Sequence, residues 1–116
     1  MKSDLLDARI LIIDDQLANV EILEQLLNIH GYTDVKFEMD SRNAIKVIQE
    51  FSPNLLLLDL MMPFFSGFDI LDQLNELGLI NNNMSVLVLT ADNSDAFDSA
   101  ELRQAVFQFF FADFKR

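Results

Sequence analysis

The chain contains no cysteine, which excludes at once a disulfide scaffold, a thiolate metal site and a cysteine nucleophile. Cations are scarce as well: 8 Lys and Arg stand against 19 Asp and Glu, for a formal net charge of −11 over 116 residues. Binding nucleic acid through its phosphates needs clustered Lys and Arg, so no nucleic-acid partner is expected. The negative excess suits divalent cations or a basic partner surface, although for most of these acids a solvated face is the plainer role. Apolar runs such as Leu55-Leu-Leu-Leu58 fall far short of the ~20 residues that span a bilayer. The first residues carry Lys2, Asp4 and Asp7 where a secretory signal would need an apolar core. A soluble, cytoplasmic protein without membrane contact is therefore expected. No repeat, linker or low-complexity tract interrupts the chain, and its length suits one domain over residues 1–116 with a core that needs no staples.

Alternation of two periodicities is what the sequence does contain. Residues 9–13, Arg-Ile-Leu-Ile-Ile, read as a strand buried on both faces that stops at Asp14-Asp15. Leu17, Val20, Leu23, Leu26 and Leu27 then recur at spacings of three and four, which predicts an amphipathic helix over 17–29 with a glycine stop at Gly31. His30, just before that glycine, is placed to bond the last helical carbonyls. Residues 35–39 alternate apolar and charged, the mark of a half-buried strand near a sheet edge. Ser41 offers an N-cap oxygen to a short helix carrying Ala44, Ile45, Val47, Ile48 and Phe51, ended by Ser52-Pro53. Four leucines at 55–58 could equally start a buried helix, but their brevity and the preceding Pro-Asn favour a strand, which ends on Asp59. A loop holding Pro63 and closed by Gly67 leads to a third helix through Ile70, Leu71, Leu74 and Leu77, with Gly78 at its stop. Pro63 and Gly67 have structural explanations, since Pro fixes a loop and Gly supplies unusual backbone angles. Residues 85–89 form a further apolar strand ended by Thr90. Strands joined by helices with no tight hairpin signal imply a parallel α/β sheet with right-handed crossovers and helices on both faces.

Past Thr90 the pattern thins. Residues 94–104 have a sparse apolar face of Phe97, Ala100 and Leu102, and a last apolar run, Val106-Phe-Gln-Phe-Phe-Phe111, carries much of the phenylalanine.

In open parallel sheets, ligands sit at the carboxyl ends of the strands beside a topological switch point. Three strand ends here carry Asp14-Asp15, Asp59 and Thr90. If those strands are neighbours, the acids converge, and like charges at such a patch repel unless protons or a cation compensate them. Mg²⁺ takes hard oxygen ligands and uses one or two carboxylates together with phosphate oxygens. One acid would then be free to attack phosphorus and form an aspartyl phosphate, with the Thr90 hydroxyl hydrogen-bonding a phosphoryl oxygen. Taken singly, an Asp after a strand is more often a helix cap or turn former. The joint occurrence of these residues favours the chemical reading.

These residues resemble the receiver domain of bacterial two-component response regulators, in Ile10-Leu-Ile-Ile-Asp-Asp15, Leu57-Leu-Asp-Leu-Met-Met-Pro63 with Gly67, and Leu87-Val-Leu-Thr-Ala91. The resemblance covers about residues 8–91. It implies a flavodoxin-like doubly wound sheet of order 2-1-3-4-5, with Asp59 as phosphoacceptor and Thr90 as the switch hydroxyl. It further implies that Asp14, Asp15, Asp59 and the carbonyl of Met61 bind Mg²⁺. The partners implied are a sensor histidine kinase or phosphotransfer protein, which donates the phosphoryl group, and a downstream protein that reads the conformational change. Such a domain is not an enzyme in the usual sense, since it promotes only its own phosphorylation and dephosphorylation.

From about residue 92 the sequence departs from the family pattern. There is no Gly-Ala pair after Thr90 and no Lys-Pro, and Lys115 lies later than the family lysine would. The expectation is an atypical last strand and a missing fifth helix. Phe107 and Phe109 to Phe111 then either occupy the space of that helix, or form an exposed patch that drives self-association or strand exchange, as in a homodimer, or fill an ordinary edge strand. Two other functions stand beside the leading one. The chain could be a degenerate receiver that serves as an interaction module without effective phosphorylation. It could also be a small Mg²⁺-dependent phosphatase with an aspartyl nucleophile, but such enzymes ordinarily place a second acid where Met61 stands.

Overall fold

A computed structural model describes residues 6–80 and 83–89. Thr90, Lys115, the helix expected over 94–104 and the phenylalanine-rich segment lie outside the described residues.

The elements run β1 (Ile10–Ile13), α1 (Leu17–Ile29), β2 (Val35–Glu38), a 3₁₀ turn (Ser41–Asn43), α2 (Ala44–Phe51), β3 (Leu55–Asp59), α3 (Gly67–Glu76) and β4 (Ser85–Leu89). The described strands form one sheet in the order β2-β1-β3-β4, and every pairing is parallel. This is the α/β, flavodoxin-like order expected from the sequence as far as β4. The place of a fifth strand lies outside the described residues.

Side chains on successive strand residues point to opposite faces, and the core divides accordingly. Ile10, Ile12, Leu55, Leu57 and Leu89 pack with Val20, Leu23, Leu26 and Leu27 of α1 on one face. Leu11, Ile13, Leu56 and Leu58 pack on the other face with Ala44 and Ile48 of α2 and Ile70 and Leu74 of α3. Both faces of β1 and β3 are covered, which is why their sequences are continuous apolar runs rather than alternating ones. Burying such a side chain fully contributes roughly 1.5–3 kcal/mol, so these two strands supply a rigid floor on which polar groups can be held.

Edge position explains β2, where Lys36 and Phe37 are exposed and Val35 and Glu38 half-buried. β4 is less buried than its apolar sequence led us to expect. Its first three residues are half-buried and Val88 is exposed, and among the described residues its only strand neighbour is β3.

Ser41 is not the N-cap of α2. Asp40 caps the 3₁₀ turn instead, its side chain accepting from the Arg42 N–H, while the Ser41 hydroxyl turns away to the β3–α3 loop. Ser52, in the left-handed conformation at φ 50°, ends α2 just before Pro53.

Candidate functional site

α1 carries the chain from β1 to β2 on one side, and α2 then leads to β3 on the other side of β1. The sheet order therefore reverses between β1 and β3, and a crevice opens beyond their carboxyl ends. Ile13 pairs with Leu58 in register, so the next residues, Asp14 just past β1 and Asp59 as the last residue of β3, lie side by side at the carboxyl edge of the sheet. Asp15 is adjacent in the chain. Carboxylate oxygens of Asp14, Asp15 and Asp59 all lie within 4.8 Å of one another. Acids from separate parts of the chain are thus brought together as the sequence predicts.

Each carboxylate has a different environment. Asp14 is fully buried; Oδ1 accepts from the Gln16 N–H at 2.9 Å and Oδ2 from the Asn19 side-chain amide at 3.3 Å. Burial pushes its pKa above the ordinary value, opposed by these hydrogen bonds. Asp59 is 6% exposed, and its Oδ1 accepts from the Met61 N–H at 3.2 Å. Burial, with the charges of Asp14 and Asp15 adding to it against the Met61 hydrogen bond, raises the Asp59 pKa to about 6. Asp15 is half-buried, and its Oδ1 is buried with no hydrogen-bond partner among the described residues.

An acceptor oxygen without a donor, beside two further carboxylates, is an arrangement that ordinary packing does not favour. A hard divalent cation satisfies it, because it takes oxygen ligands and cancels the mutual repulsion. The donor set is all carboxylate, with neither thiolate nor imidazole, so hard cations fit it better than soft ones. Asp14, Asp15 and Asp59 could hold such an ion.

The loop after β3 frames the acids. Met61 is exposed, and its N–H is the donor to Asp59. Gly67 closes the loop by donating its N–H to Leu60 O at 3.0 Å. Its role differs from the unusual backbone angle expected of it, because its φ lies outside the left-handed region. A Cβ there would lie 2.5 Å from the carbonyl oxygen of Asp59, so close approach is what demands glycine. Ser66 and Asp69 form a reciprocal capping box at the start of α3 and fix where the loop ends.

His30 lies at the far end of α1 from the acids, its Nδ1 2.9 Å from Leu26 O, a capping contact and not part of the site. Two residues of the site escaped sequence reading. Asn19 bonds Asp14 from the first turns of α1, and Ser41 bonds the β3–α3 loop from the far side of β1. Thr90, expected at the same corner, lies outside the described residues.

Among the described residues, no helix is long and apolar enough to cross a membrane. The chain is 37% identical over 86 residues to the response regulator MprA of Mycolicibacterium vanbaalenii, covering 74% of this chain and 36% of that protein. It is 36% identical over 96 residues to a probable transcriptional regulator, ycf27, of Porphyridium aerugineum, covering 81% and 38%. The chain thus spans little more than a third of the length of these relatives. Among solved structures, it resembles the signal receiver domain of a LuxO repressor protein from Vibrio parahaemolyticus, with TM-score 0.75, 23% identity and 92% of each chain covered. It also resembles a CheY-like receiver domain protein from Methanospirillum hungatei, with TM-score 0.75, 21% identity and 94% and 98% covered. At such identities these structures speak for the fold. The response regulator receiver domain family matches residues 10–116, which carries the likeness past residue 91 into the segment where the expected motifs are missing. With strand order, acid cluster and sequence in agreement, this chain belongs to the receiver domain family of two-component response regulators, a family of signalling domains.

Proposed function

We propose that Asp59 accepts a phosphoryl group from the phosphohistidine of a sensor kinase or phosphotransfer protein, in a Mg²⁺-dependent reaction. The observation that carries this reading is the meeting of Asp14, Asp15 and Asp59 with one carboxylate oxygen left orphaned. An Asp59 oxygen attacks phosphorus, the bond from phosphorus to the donor imidazole nitrogen breaks, and an acyl phosphate forms while the imidazole takes up a proton. The attack requires the carboxylate form, and with a pKa of about 6 Asp59 is mostly ionised at neutral pH. The Met61 N–H holds Oδ1 of Asp59. Asp14, Asp15, Asp59 and the Met61 carbonyl would hold Mg²⁺, which supplies charge neutralisation for the carboxylates and the incoming phosphoryl oxygens. Thr90 would donate its hydroxyl to one of those oxygens. The output is a shift between two conformations that changes contacts with a downstream protein.

Incubation with acetyl phosphate and Mg²⁺, followed by intact-mass measurement, should add one phosphoryl group to the wild type. Asp59→Asn or a chelator should abolish the addition. A wild type that stays unmodified at high donor concentration overturns the proposal. One sequence observation favours a second reading, an interaction module without effective phosphorylation: Lys115 is the only lysine after Thr90. Stabilisation by Mg²⁺ without phosphoryl uptake would select that reading.

A further inference from the structure

The 3₁₀ turn after β2 touches the loop that follows Asp59, and the contact is built from three consecutive side chains. Ser41 is 4% exposed, and its hydroxyl donates to Pro63 O at 2.6 Å while accepting from the Phe65 N–H at 3.1 Å. One hydroxyl therefore grips the peptide groups on both sides of Phe64. Between them Phe64 has φ 70°, a left-handed conformation that is unfavourable for a bulky side chain and persists only when its surroundings hold it. Phe64 is 67% exposed, yet the Arg42 guanidinium carbon lies 3.9 Å from the centroid of its ring. Arg42 is itself fixed by Asp40, with Nε donating to Oδ1 at 3.0 Å and Nη2 to Oδ2 at 2.9 Å. A bidentate guanidinium has little freedom to leave the ring. Asp40, Ser41 and Arg42 thus clamp a strained residue in the loop whose Met61 N–H meets Asp59.

We infer that Ser41 is a positioning residue for the acid site: its buried hydroxyl clasps Pro63 and Phe65, and this holds the loop so that Met61 stays bonded to Asp59. The inference rests on the proposed role of Asp59 as phosphoacceptor. Without the clasp, the Pro63 carbonyl and the Phe65 N–H lose their partner and Phe64 relaxes out of the left-handed region. Relaxation moves the backbone within three residues of Met61, in a segment where no other described hydrogen bond ties the chain between Met61 and the Ser66 cap and Met62 adds packing against the core. Arg42 and Asp40 reinforce the clasp from the solvent side.

The test compares wild type, Ser41→Ala and Ser41→Thr in three measurements: amide hydrogen exchange without metal, Mg²⁺ affinity by calorimetry, and phosphorylation by acetyl phosphate. Ser41→Ala should speed exchange at Met61 and Phe65 while leaving Leu57 protected. It should also weaken Mg²⁺ binding by about 10-fold, the lower end of the range for residues that orient metal ligands. Ser41→Thr keeps the hydroxyl and should restore both. If Ser41→Ala lowers only the melting temperature, with Met61 exchange and Mg²⁺ affinity at wild-type values, Ser41 is ordinary packing and the inference is overturned. Failure of Ser41→Thr to restore exchange while the protein stays folded overturns it equally. A wild type that neither binds Mg²⁺ nor takes up phosphoryl sinks the reading of Asp59 itself, an outcome distinct from either of these.

Discussion

Gly67 illustrates how a single missing Cβ can shape the acid site. A side chain at this position would meet Asp59 O at 2.5 Å, Leu60 Cα at 2.8 Å and Leu60 Cδ2 at 2.8 Å; the first two are backbone, so a rotamer change of Leu60 alone does not relieve the collision. The strand end must move, and Asp59 moves with it. Gly67→Ala should therefore destabilise the fold by about 1–3 kcal/mol, as overpacking typically does, and should weaken Mg²⁺ binding as well. Gly78 offers the control. A Cβ there meets nothing within 4 Å, but φ is +70°, so Gly78→Ala carries backbone strain alone, at about 1 kcal/mol. Urea unfolding with parallel calorimetry separates the two: Gly67→Ala should lose stability and metal affinity, Gly78→Ala only stability. A Gly67→Ala protein with wild-type Mg²⁺ affinity would contradict the close-approach argument.

Among the elements, α3 depends most on its start. Its first turn contains a glycine and an exposed Phe68, so little intrinsic propensity supports it, and the reciprocal Ser66 and Asp69 bonds at 3.2 and 2.9 Å satisfy donors that would otherwise be orphaned. Ser66→Ala should cost about 1 kcal/mol in thermal or urea unfolding, and Ser66→Asp, which keeps a capping oxygen, should recover most of it. Recovery by neither Asp nor Thr would show that the cap is not what Ser66 contributes. Elements with a periodic apolar stripe were legible in the sequence. The helix over 17–29 and the half-buried edge strand near 35 stand where the spacing placed them, because their patterns are local. So was the acid corner, since the acids stand at the carboxyl ends of apolar runs and parallel neighbours bring such ends together. Ser41 looks like a cap in the sequence because its true partners lie 22 and 24 residues away, and spacing rules see only the nearest turn. For Gly67 the sequence suggests only backbone freedom, since the carbonyl that excludes a Cβ becomes visible once strand and helix are docked. Asn19 gave no signal, being one polar residue on a helix whose solvent face is expected to be polar.

For the whole molecule, the acid cluster sets stability against function. Asp59 has a pKa of about 6 in the fold against an ordinary 3.8, and Asp14 is raised in the same direction, chiefly by burial. Between those values the folded chain binds more protons than the unfolded one, so stability falls as pH rises through about 6 and the deficit persists above it. Removing the Asp59 charge should therefore stabilise the metal-free protein at pH 7.5. Asp59→Asn should gain on the order of 1–2 kcal/mol, a figure reduced for the solvent that reaches the cluster, and its melting temperature should change less between pH 4 and 7. Mg²⁺ offsets the same repulsion. At ten times its dissociation constant it should add about 1.4 kcal/mol to the wild type at pH 7.5, less at pH 5, where Asp59 is largely protonated, and little to Asp59→Asn. The net charge of −11 means that any salt also stabilises by screening, so each Mg²⁺ titration is paired with NaCl at equal ionic strength. Only the increment beyond NaCl reports the site. If that increment is as large in Asp59→Asn as in the wild type, the cation is meeting general surface charge, and the convergence of Asp14, Asp15 and Asp59 has no ion to hold.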